Sequence, residues 1–95
     1  MIADNPLAAL RSEINQIDDQ LVALLARRYA ILDDVIALKQ KHGIPHRVEA
    51  RVQEVLERNE ANAQKAGLPP GYAKAIWHLI VEAAHAYERH QLPEK

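Results

Sequence analysis

The sequence predicts an all-α fold of three helices, the first of them very long, whose economical form is a homodimer. Three observations carry that expectation. Apolar residues recur at Leu7, Leu10, Ile14, Ile17, Leu21, Leu24, Ile31, Val35 and Leu38 in alternating steps of three and four, which is a heptad seam. Two breakers, Gly43 with Pro45 and Gly67-Leu68-Pro69-Pro70-Gly71, mark off two further helical stretches, and no run alternates with the period of a strand. The seam is also too long for its domain. About 36 helical residues span roughly 54 Å, whereas a globule of 95 residues has a radius of gyration of about 12 Å. The helix is expected to stick out, and such a seam finds its cover on a second chain.

Each element has its own signals. Met1 to Asp4 reads as a short free arm, after which Asn5 is a good N-cap and Pro6 a good first helical residue, because its missing N–H is no loss there. The first helix continues through Gln40 and Lys41 until Gly43 supplies a left-handed position and Pro45 bars continuation. The second is expected to begin between Pro45 and Val48 and to run to about Ala66. Val48, Val52, Val55 and Leu56 should face inward, with the acidic, amide-rich stretch Glu57 to Gln64 largely solvated. The third carries Tyr72, Ile76, Leu79, Ile80, Ala83 and Tyr87 at helical spacing and should end before Pro93.

Composition narrows the function. Residues 1–95 suffice for one domain with a modest core, a size at which oligomerisation commonly adds burial. There is no cysteine, hence neither a disulfide framework nor thiolate chemistry. No basic-then-apolar leader and no membrane-length apolar run follow Met1, so a cytoplasmic location is expected. The formal net charge is −1 with basic residues dispersed among acids, which argues against nucleic acid and membrane as partners. Any anion must therefore meet a local cluster of cations.

The clearest candidate is Arg28, which occupies the seam position between Leu24 and Ile31 where packing calls for an apolar side chain. An unpaired guanidinium is costly to desolvate, so an acid or a bound anion should lie opposite it. Lys39 follows eleven residues later, near the same face with a Cα about 16 Å away, so the two long side chains can hold the ends of a small dianion. Arg11 lies seventeen residues before Arg28, about 25 Å along the helix. It cannot share a small ligand with Arg28 within one chain, but an antiparallel partner would bring its own Arg11 beside this Arg28. Arg11 and Lys39 also read as rim charges that snorkel from the edge of the seam. Arg51 neighbours the Val48, Val52 and Val55 stripe and points into the same space on that reading, while Arg47 and Arg58 serve solubility. Glu88 and Glu82 lie at the edge of the third helix's apolar face, where solvation or pairing with Arg89 or Lys74 is the plainer role. His42 and His46 are separated by a helix breaker, and His78 and His85 lack a zinc-type spacing, so all five histidines read as surface residues and no metal is expected. An enzyme built from this set works by positioning and electrostatics.

These residues resemble a family. Asn5-Pro6-Leu7, Leu10-Arg11, Ile14, Ile17-Asp18, Leu21, Leu24-Leu25, Arg28 and Lys39, then Arg47 and Arg51, then Leu79-Ile80-Val81-Glu82, are similar to the all-helical chorismate mutases, without gaps from Asn5 to Glu88. The resemblance implies an intertwined dimer with two sites, each taking Arg11 from the other subunit, and no cofactor. It implies conversion of chorismate, a small dianion, to prephenate by a Claisen rearrangement. Carried over by position, Arg28 and the partner's Arg11 would clamp carboxylates. Lys39 would touch a carboxylate and the ether oxygen, Arg51 would support the ring carboxylate, and the backbone near Val48 would meet the ring hydroxyl.

Three positions depart from the pattern. Val52 stands where many members have a glutamate for the substrate hydroxyl, and Ala84 where many have a serine near a carboxylate. Glu88 replaces a glutamine that donates to the ether oxygen. Glu88 donates only when it carries a proton, which requires burial and no close cation competing for it, and predicts activity that falls as pH rises. Isochorismate-pyruvate lyases share the fold and the clamp, and Arg51-Val52 resembles that branch. The short link from Lys39 to Arg51 and the Asn5-Pro6-Leu7 start favour the mutase. A non-catalytic helical dimer is the third alternative, against which stands the retention of Arg11, Arg28, Lys39 and Arg51 together.

Overall fold

Three helices follow in order in a computed structural model that describes residues 5–91: α1, Ala8–His42; α2, Glu49–Lys65; and α3, Tyr72–Gln91. The arm at residues 1–4 and the stop at Pro93 lie outside the described residues. The all-α expectation is met. The chain divides into two compact units, Met1–Ile31 and Leu32–Lys95, with the boundary inside α1.

The ends of the helices follow their local chemistry. Asn5 Oδ1 accepts the Leu7 N–H at 2.9 Å, the first N–H after Pro6, so Asn5 caps α1 as its residue type predicts. Gly43 takes φ +67° and lets the Ile44 N–H reach back to the Lys39 carbonyl at 2.9 Å, and Gly67, at φ +87°, does the same for Leu68 and Ala63 at 2.9 Å. Val48 is extended and caps α2 without a side-chain bond, so the helix begins one residue after the expected range.

In the first unit the seam is uncovered: Leu7, Leu10, Ile14, Ile17, Leu21, Leu24 and Ile31 are all exposed, from 47% at Leu7 to 58% at Ile31. The second unit holds the core. Val52, Val55 and Val81 form a buried cluster with Leu56 and Trp77 packed on it, and Ile36, Ala63 and Ala73 are buried as well. Ile36 lies off the seam, whereas Leu38, on it, is exposed. The end of α1 thus turns a different edge inward from the one its heptads mark.

Two expectations need correction. The buried residues of α3 are Ala73, Val81 and Glu88, with Trp77 and Ala84 partly buried. Tyr72, Ile76, Ala83 and, at 69%, Leu79 remain exposed. The edge that packs on α2 is the one where Ala73, 1% exposed, permits close approach and Trp77 lies on the core cluster. Val48, expected inside, is exposed at the cap. The stretch Glu57 to Gln64 is largely solvated as expected, with Glu60 and Ala63 buried within it. Glu60 has a specific task. Its carboxylate accepts the Gly71 N–H at 2.7 Å and the Lys74 N–H at 3.2 Å, capping α3 from α2.

The Gly71 N–H holds the Glu60 carboxyl below the usual carboxylate range, helped by the Lys74 N–H and opposed by burial. Its stabilising contribution is present above that range and is lost as pH falls through the depressed value. Glu60→Ala should lower the Tm by about 5 °C near neutral pH, with a smaller difference in acid. Thermal unfolding at pH 7 and pH 3.5 checks both points.

Candidate active site

Two helix ends and one turn build the site. Lys39 lies in the last turn of α1, Glu88 in the last turn of α3, and His46 in the turn that leads to α2. The Lys39 ammonium donates to Glu88 Oε1 at 2.6 Å and to the His46 carbonyl at 2.6 Å. Glu88 is 3% exposed, so its carboxylate has exchanged water for this ammonium. Such an exchange holds only while both partners remain, because either charge alone in a buried place is unfavourable. Glu88 is therefore buried, as its proposed role requires, but it is not without a competing cation. The pairing with Arg89 or Lys74 is replaced by one with Lys39.

Beside this pair lies a second group that spacing does not reveal. Arg47 donates from Nη1 to Glu82 Oε2 at 2.8 Å and to His85 Nδ1 at 3.0 Å, and from Nε to Glu49 Oε2 at 3.1 Å. The guanidinium holds the Glu82 and Glu49 carboxyls below their usual range and is itself held more firmly protonated, chiefly by Glu82. On its other side His85 Nε2 lies 3.9 Å from Glu88 Oε2, and its ring meets His46 edge-on with centroids 6.3 Å apart. Two histidines expected on the surface, His46 and His85, are thus partly buried, while His42, His78 and His90 are exposed. Arg47 is a tie between the start of α2 and α3 rather than a solubilising charge.

The other candidates are placed less closely. Val52 is buried in the core cluster, and Ala84 is partly buried one turn before Glu88 on α3. Val48 accepts the Arg51 and Val52 N–H groups through its carbonyl. Arg51 does not point into the apolar stripe; it is exposed and pairs with Glu54 one turn on. In the first unit Arg11 is exposed and Arg28 partly buried, and the acid expected opposite Arg28 is not found among the described residues. Among the described residues no group of three or more histidine, aspartate or glutamate side chains is placed to hold a metal ion. No described helix is long and apolar enough to cross a membrane.

The described residues thus form an all-α, three-helix protein with a buried ammonium–carboxylate pair between the last turns of α1 and α3. The family match is specific: residues 10–89 fit the model described as chorismate mutase type II, and the chain belongs to that family. It is 28% identical over 88 residues to the T-protein of Enterobacter agglomerans, covering 93% of this chain and 23% of that protein. To the bifunctional chorismate mutase/prephenate dehydratase of Escherichia coli strain K12 it is 34% identical over 82 residues, covering 86% and 21%. To the chorismate mutase of Methanocaldococcus jannaschii it is 25% identical over 88 residues, covering 93% and 89%. The chain therefore spans under a quarter of the longer relatives and most of the short one.

Proposed function

We propose that this chain, residues 1–95 acting as one domain, is a chorismate mutase that rearranges chorismate to prephenate in the cytoplasm, in aromatic amino-acid biosynthesis, as a homodimer. The observation that carries the reading is the buried Lys39–Glu88 pair at 2.6 Å, a preplaced cation beside a group able to take up a proton, at the positions the family pattern uses. The rearrangement breaks a C–O bond as a C–C bond forms, with no covalent enzyme intermediate. The site must supply two things: a compact substrate conformer, which is an entropic contribution, and donors aimed at the ether oxygen where negative charge grows.

Arg28 and the partner's Arg11 clamp the substrate carboxylates, and Lys39 moves from Glu88 toward a carboxylate and the ether oxygen. A dianion beside a buried carboxylate favours its protonated form. Glu88, released by Lys39, donates a hydrogen bond to the ether oxygen only when it carries a proton. Arg51 swings from Glu54 toward the ring carboxylate, and the backbone near Val48 meets the ring hydroxyl; Val52 leaves that hydroxyl, and Ala84 a carboxylate, without the side-chain contact usual in the family. The exposed seam of α1, apolar in its first unit at every position but Arg28, supports the second copy, since patches of that extent mark protein–protein contact.

The test offers purified protein chorismate and isochorismate separately at pH 6.5 and 8.5 and follows prephenate and salicylate. Prephenate should dominate and form faster at pH 6.5. Salicylate as the main product would assign the chain to the lyase branch that Arg51-Val52 resembles, and neither product would leave a helical dimer without this activity.

A further inference from the structure

We infer that His85 is a positioning residue for Glu88: its neutral ring, anchored at Nδ1 by Arg47, turns Nε2–H toward Glu88 Oε2 and leaves Oε1 to the Lys39 side of the site. The inference rests on the chorismate mutase reading. Its first step is a proton count. A guanidinium can only donate, so the 3.0 Å contact from Arg47 Nη1 makes His85 Nδ1 an acceptor, and the ring proton of the neutral form is on Nε2. That nitrogen lies 3.9 Å from Glu88 Oε2, longer than a direct hydrogen bond but close enough for a charge on the ring to be felt. The two oxygens of Glu88 are thereby distinguished: Oε1 faces Lys39, and Oε2 faces an imidazole that is held without charge.

The groups around the ring agree on that state. From the turn before α2 it meets Arg47 and His46; from α1, Lys39; from its own helix, Glu82 and Glu88. Burial holds His85 below the usual histidine range. The Glu88 charge opposes this, Arg47 and Lys39 reinforce it, and Glu82 opposes it. Protonation would set an N–H on Nδ1 against the Arg47 N–H and place a second cation beside Glu88. An imidazolium beside the carboxylate that Lys39 has released favours its charged form, which cannot donate, so protonating His85 removes the hydrogen bond to the ether oxygen. The rate should thus have an acid limb set by His85.

The test compares kcat and KM for chorismate from pH 5 to 9 in the wild type, His85→Gln and His85→Leu. The glutamine amide can accept from Arg47 but takes up no proton in this range. His85→Gln should lose the acid limb, outpacing wild type by about threefold or more at pH 5 while remaining close to it at pH 7.5. His85→Leu should lower kcat at pH 7.5 with little change in KM, and glutamine should rescue it. Imidazole nitrogen NMR should show the Nε2–H tautomer in the wild type and a mixture of tautomers in Arg47→Gln. An acid limb unchanged in His85→Gln, a leucine variant equal to wild type, or an Nδ1–H tautomer would each overturn the inference while leaving the mutase reading intact. A wild type that forms no prephenate at any pH would remove that reading first and this inference with it.

Discussion

Lys39→Met is expected to cut turnover about 10³-fold and to destabilise the fold in the same step. The two losses have different causes. On the proposed mechanism turnover falls because the cation that meets the ether oxygen is gone, and what remains must stabilise the developing charge without it. Stability falls because Glu88, 3% exposed, is left with a desolvated charge and no ammonium, a change that typically costs about 3 kcal/mol. The double variant Lys39→Met with Glu88→Gln separates them. Removing both charges should restore most of the stability, since a neutral buried pair lacks the desolvation penalty, while turnover stays low. Denaturant unfolding and steady-state assays on the same preparations read the two quantities independently. A methionine variant with wild-type kcat would show that Lys39 is an anchor for Glu88 and the His46 carbonyl and nothing more.

Mixing Arg11→Ala with Arg28→Ala should regenerate activity from two nearly inactive proteins. The two residues lie on one helix about 25 Å apart, so they cannot clamp one small substrate within a chain. In an antiparallel pairing of two copies each site draws Arg28 from one chain and Arg11 from the other. A heterodimer of the two variants then has one site with both arginines and one with neither. After random exchange of subunits half the dimers are mixed, and half the sites in those are intact, so about a quarter of wild-type activity should return. Each variant alone should be reduced about 10²-fold or more, as expected for losing a charge-assisted clamp on a carboxylate. No recovery after verified exchange would place the two arginines outside a shared site. Sedimentation of the mixture at low concentration gives the accompanying check that a dimer is present.

The sequence and the tertiary structure divide the protein between them in a way that follows from the range of each interaction. Features set by neighbours within one or two turns were legible. The Asn5 cap, the left-handed stop at Gly43 and the three-helix order depend on residues adjacent in the chain, and the heptad seam of α1 announces an apolar edge whatever covers it. Composition and spacing also marked Arg28, Lys39 and Glu88 for attention, and the family pattern tied them to one chemistry.

What the sequence left undecided was which of several apolar edges each helix turns inward, and which charge meets which. The third helix has one edge with Ile76 and Leu79 and another with Ala73, Trp77 and Val81, and only packing against α2 selects the second. Glu60 reads as one more solvated acid until the fold brings the start of α3 to it, eleven residues away at Gly71. Glu88 meets Lys39 across 49 positions of chain, and Arg47 reaches His85 across 38. No local periodicity encodes such pairs. An ion pair between distant residues exists only after the backbone has been folded by other forces, so its partners become visible only in three dimensions.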